Sequence, residues 1–173
     1  MRSIAKTASH NGLEAGVRSF VLILCLACVQ AFGQSFADGI AARTRGDFAG
    51  AFVTFKQQAV AGDPESQFEL ALLYSSGKGV NANAKESMYW LKQAATRGHI
   101  PAQSNLGVAF SMGRGIPQDA IKAATWFIIA ARSGDSVAMT NRNLALKRLT
   151  PNQGERAQAL AELCQKGNYG DCL

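Results

Sequence analysis

Apolar residues recur at three- and four-residue steps along most of the chain, with polar residues between them. In 65–76, Ser66, Leu70, Leu73 and Tyr74 fall on one stripe; in 84–97, Ser87, Trp90, Leu91, Ala94 and Ala95 fall on another. That step is the mark of an amphipathic helix. No segment alternates apolar and polar at every second residue, so no strand is predicted. The pattern predicts helices over 36–45, 47–61, 65–76, 84–97, 101–112, 118–132 and 136–149. An eighth starts after Thr150, with Pro151 at its first position and Gln153 completing a capping box. Gly77-Lys78-Gly79 and Gly113-Arg114-Gly115 end the third and fifth helices, because glycine takes the left-handed conformation without a Cβ penalty.

The pattern repeats. Laid without a gap over 99–134, the segment 63–98 matches at ten positions, among them Gln67/Gln103, Leu70/Leu106, Ser75/Ser111, Gly77/Gly113, Gly79/Gly115, Trp90/Trp126 and Gly98/Gly134. A period of 36 residues defines a stacked array of helix–loop–helix units. One unit cannot bury its apolar face alone, so the array is the fold. Small residues at Ala94, Ala95, Ala130 and Ala131 let helices approach, and the two tryptophans fill gaps between layers. The flanks, 35–62 and 135–166, read as degenerate copies of the unit, and 167–173 as a tail.

Composition changes this picture at the ends. Residues 1–33 carry Arg2, Lys6 and Arg18 ahead of an apolar run at 20–32, with small residues before Gln34. That is the layout of a secretory signal peptide, with a second candidate cut after Ala37. The apolar run is short for a spanning helix, so no integral span is expected after cleavage. Lipidation at Cys28 is the alternative, but Cys25-Leu26-Ala27 matches a lipobox poorly. The expected location is periplasmic, with secretion second. Cleavage leaves two cysteines, Cys164 and Cys172, and an even pair in an exported chain favours a disulfide.

The formal charge of the chain is +6, and from Gln34 onward 15 Lys and Arg stand against 11 Asp and Glu. These charges are scattered, apart from Arg142, Lys147, Arg148 and Arg156, so no nucleic-acid partner is expected. Catalytic constellations are thin. Ser75-Ser76-Gly77-Lys78 has the Ser-x-x-Lys spacing of penicillin-recognising enzymes, but Ser75 falls at a helix end and the companion motifs are missing. The glycine loops lack the Walker pattern. His99 is the only histidine after the leader, too few for a triad or a zinc site. No catalytic residue, metal or cofactor is expected.

The pattern Ala/Ser-x-x-x-Leu-(Gly/Ala)-x-x-(Tyr/Phe), then Gly-x-Gly-(Val/Ile), then Trp, Ala-Ala and Gly, resembles the Sel-1-like repeat family, relatives of the tetratricopeptide repeats. It is carried by 66–74 (SQFELALLY) and 102–110 (AQSNLGVAF), with Leu70, Gly77, Gly79, Trp90, Gly98 and Leu106, Gly113, Gly115, Trp126, Gly134 as defining positions. Asn141-Arg142-Asn143 followed by Leu149-Thr150-Pro151 is similar to the closing segment of small exported members. The resemblance covers nearly all of 36–166 and makes 34–173 one repeat domain. It implies an all-α, right-handed α/α superhelix that works as a protein-binding adaptor or scaffold, with no reaction. Two departures stand out: Ala71 replaces a preferred Gly, and Asn81-Ala82 replaces the Pro-Gln that Pro117-Gln118 supplies. The Cys164–Cys172 spacing resembles that of a cysteine-rich branch whose disulfides clip neighbouring helices.

By analogy with tetratricopeptide repeats, first helices line the concave face. That puts Glu65, Phe68, Leu72, Ser75 and Ser76, then Ser104, Val108, Ser111 and Met112, toward a partner. Phe68, Leu72 and Val108 have an equal alternative, packing against the next helix. The resulting expectation is a monomeric, non-catalytic adaptor whose groove binds a protein or peptide of the cell envelope. Its rivals are a cell-wall or β-lactam-acting enzyme like the cysteine-rich cousins, and a structural clip or assembly chaperone.

Overall fold

The computed structural model describes residues 35–167 and 169–173. The signal peptide expected at 1–33 lies outside the described residues. Within them the chain forms eight α-helices: α1 (Phe36–Thr44), α2 (Phe48–Val60), α3 (Pro64–Ser76), α4 (Ala84–Thr96), α5 (Ile100–Met112), α6 (Ala120–Ala131), α7 (Ser136–Leu146) and α8 (Pro151–Gln165). A 3-10 turn, Tyr169–Cys172, follows, and no strand occurs among the described residues.

Seven of the eight helices, all but α1, start where a side chain takes up a free backbone N–H of the first turn. Asp47, Asn83 and Asp119 cap α2, α4 and α6, and they stand one period apart. Asp63, His99 and Asp135 cap α3, α5 and α7, again one period apart. The Nδ1 of His99 accepts from Ala102 N–H at 3.2 Å, doing for α5 what a carboxylate oxygen does for α3 and α7. Such a cap contributes about 1 kcal/mol. The helix predicted from 118 starts two residues later, as α6: Gln118 bonds back to the Ser111 carbonyl, and Asp119 is the cap. The helix predicted to run to 149 ends three residues earlier, as α7 at Leu146.

Gly77 and Gly113 close α3 and α5 in the left-handed conformation, at φ of 70° and 68°. Gly79 has a further constraint. A Cβ there would overlap the backbone at Phe48, so the loop after α3 lies directly on the start of α2.

Consecutive helices pack on each other from α1 through α7. A repeated polar tie joins the layers: Gln67 donates to the Ala59 carbonyl at 3.0 Å, and Gln103 to the Ala95 carbonyl at 3.1 Å. Leu70 and Leu106, equivalent positions, are fully buried, each contributing about 2 kcal/mol of apolar burial. The last unit breaks the plan. Helix α8 packs on α6 rather than on α7. Covered from several sides, α6 buries every residue from 123 to 131, which explains a sequence that is apolar all round.

The two tryptophans occupy equivalent places with different surroundings. Trp126 is fully buried, stacked on Tyr169 at 5.8 Å, and donates its indole N–H to the Cys172 carbonyl at 2.8 Å. Trp90 is half-buried and bridges two hydrophobic clusters, one centred on Phe55 and Leu70, the other on Leu106 and Trp126. The difference comes from the C-terminal segment, which covers only the second of them. Cys164 and Cys172 are buried side by side with Cα atoms 6.3 Å apart, a separation that a disulfide spans.

Candidate functional site

Two cavities open along the array, and the second is a copy of the first. The first, about 550 Å³, lies between α3 and α5 over α4; the second, about 270 Å³, lies between α5 and α7 over α6. Every residue lining the second, except Met112 and Arg148, stands 36 positions after a residue lining the first. Leu72 becomes Val108, Ser75 becomes Ser111, Leu91 becomes Phe127, Asn105 becomes Asn141 and Val108 becomes Leu144. Val108 lines both, as the wall they share.

The reason is geometric. First helices α3, α5 and α7 repeat the same register, so Leu72, Val108 and Leu144 form three rungs. Second helices make the floor. Floor size depends on the pair that faces it: Leu91 with Ala71 in one unit, Phe127 with Gly107 in the next. The larger ring takes space, and the second cavity is the smaller.

Of the expected groove residues, Leu72, Ser75, Val108, Ser111 and Met112 line these cavities. Glu65, Phe68, Ser76 and Ser104 do not. The Phe68 ring lies on His99, with centroids 4.7 Å apart, and Glu65 approaches the His99 Nε2 at 3.5 Å. That cluster forms the junction between repeats. The analogy with first helices alone overlooked the second-helix floor (Ser87, Met88, Leu91, Ala123 and Phe127) and the contribution of α7. The 36-residue spacing of Leu72, Val108 and Leu144 was the available signal.

The chemistry of the walls is apolar with few polar groups. Ser87 donates its hydroxyl to the Ala71 carbonyl at 2.8 Å. Burial pushes the Tyr74 phenol above its ordinary pKa, and the Glu86 carboxylate adds to that shift. The side chains of Asn105 and Asn141 face the cavities. Among the described residues no group of three or more His, Cys, Asp or Glu is placed to hold a metal ion. No helix among them is long and apolar enough to cross a membrane.

Stacked helical hairpins that copy both their ties and their cavities define an all-α repeat protein. The Sel1 repeat family matches residues 64–99 and 100–135. Residues 64–135 are therefore two Sel1-like repeats, a fold that is generally a non-enzymatic protein-interaction fold. A crystal structure of a protective antigen present in uropathogenic Escherichia coli strains, displaying an SLR fold, is 26% identical and superposes with a TM-score of 0.70. That match covers 78% of this chain and 30% of the antigen, so this chain spans under a third of the antigen's length. A Sel1 repeat protein from Oxalobacter formigenes is 34% identical over 50% of this chain and 66% of its own, with a TM-score of 0.48. No curated protein sequence matches the chain.

Proposed function

We propose that this protein is an exported, monomeric adaptor of the bacterial cell envelope, holding a segment of a partner protein across the two cavities. The observation that carries this reading is the copied cavity with Val108 as its shared wall. A continuous surface repeated with the period of the fold is what an array offers to an elongated ligand. The leader at 1–33 supports export, and the adjacent buried cysteines support a disulfide that fastens the C-terminal turn to α8.

The test places a photo-crosslinking residue at Val108 in living cells and, as a control, at Val60, which is 72% exposed on α2. A discrete adduct from Val108 and none from Val60 is expected. Equal labelling at both sites, or none at Val108, refutes the groove. The mass of the same purified protein tests export: a chain starting at Gln34 or just after Ala37 is expected, and an intact leader refutes it.

A further inference from the structure

Resting on that adaptor reading, we infer that the groove takes an extended peptide segment bearing aliphatic and acidic side chains. Three observations converge on this chemistry. The first is the ladder of Leu72, Val108 and Leu144, of which Leu72 is 37% and Leu144 52% exposed. Aliphatic side chains of a ligand would cover it.

The second is the pair Asn105 and Asn141, one to each cavity. Neither carboxamide bonds within the described chain. Each offers both a donor and an acceptor, which is what an unpaired peptide group needs. A helical ligand has already satisfied its backbone groups, whereas an extended one presents them. The carboxamides therefore favour an extended backbone.

The third is charge. The one charged residue lining the first cavity is Arg114, and the one lining the second is Arg148. Both are exposed, and neither makes an ion pair among the described residues. Arg114 shows why. Its counterpart in the preceding loop, Lys78, sits over the Phe48 ring at 5.0 Å. One period after Phe48 stands Ala84, so the Arg114 guanidinium has no ring to rest on and remains with the cavity. Two carboxylates of the array are engaged elsewhere, Glu69 with Arg43 at 2.6 Å and Asp119 with the first turn of α6, and Glu86, which acts on Tyr74, forms no ion pair with Arg114. A guanidinium fork pairs best with a carboxylate, which it can hold through two hydrogen bonds. A flat anionic membrane would reach the exposed cations but offers no peptide groups for the two carboxamides to pair with.

The experiment selects a random short-peptide display library against the purified protein, then measures binding of the selected peptides by fluorescence anisotropy. Enrichment of aliphatic sequences rich in Asp and Glu is expected. Arg114→Glu with Arg148→Glu, both surface changes that leave the core alone, should weaken those peptides by about tenfold or more. Enrichment of basic or uncharged sequences overturns the inference, as does binding that the double reversal leaves unchanged. So does preferential binding to phosphatidylglycerol vesicles, or a library that yields nothing. If the Val108 crosslink forms and survives the charge reversal, the adaptor reading stands and the acidic ligand alone is lost.

Discussion

Gly107 lies directly against the Phe127 ring: a Cβ at Gly107 would come within 2.8 Å of the ring's Cε1 atom. One period earlier the same two places hold Ala71 and Leu91. The first unit, whose loop is shorter, sets Gly39 against Phe55 with the same close fit. Small residue and large residue are thus matched in size, glycine to phenylalanine and alanine to leucine. This accounts for Ala71, which departs from the family's preferred glycine.

The match predicts that Gly107→Ala destabilises the protein by about 1–3 kcal/mol through overpacking, against the preference of helices for alanine. Adding Phe127→Leu should recover much of that loss. Urea unfolding of both single variants and the double variant measures the coupling, and additive losses would refute the size match.

The glutamine ties should differ in worth. Gln103 and Gln67 make equivalent bonds, but the Oε1 atom of Gln67 is buried without a partner. Gln103→Leu should therefore cost about 1 kcal/mol, and Gln67→Leu clearly less, since it also removes an unpaired buried oxygen. Equal costs in thermal unfolding would show that the two ties are energetically the same.

Removing a repeated cap has a calculable effect. Asp119→Ala strips α6 of the carboxylate that accepts from Ile121 and Lys122, at 2.9 Å each. A loss of about 1 kcal/mol is expected, with Asp119→Asn retaining most of the stability. No difference between the two variants would argue against the cap.

Joining Cys164 to Cys172 should contribute about 2–3 kcal/mol by closing a short loop. Reduction, or Cys172→Ser, is expected to lower the unfolding midpoint and to shift Trp126 emission to the red as Tyr169 lifts from it. The measurement uses a Trp90→Phe background, so that one indole reports. Emission and midpoint unchanged by reductant would mean that the pair does no clamping.

Much of the fold was legible because a 36-residue period constrains every level at once. Trp90 with Trp126 fixed the register, and Gly77 with Gly113 fixed the helix ends. Other periodic signals were present but carry weak local meaning. A lone Asp, Asn or His is an ordinary surface residue until its place in the series Asp47, Asn83, Asp119 or Asp63, His99, Asp135 is noticed. The groove was half legible. Leu72, Val108 and Met112 follow from first-helix register, but Phe68 depends on the His99 ring beside it, a contact between units that no single-helix stripe reveals. The fold-back of α8 onto α6 was invisible for the same reason: periodicity describes neighbours in the series and says nothing of the last one.

That fold-back also governs how such a chain can lengthen. With α8 leaning on α6, a new hairpin fused behind it would meet a surface unlike any internal junction. A duplicate unit spliced between Gly98 and His99 would instead inherit matching partners on both sides. Growth from within, not at the tail, is the route by which this architecture could acquire a longer reach.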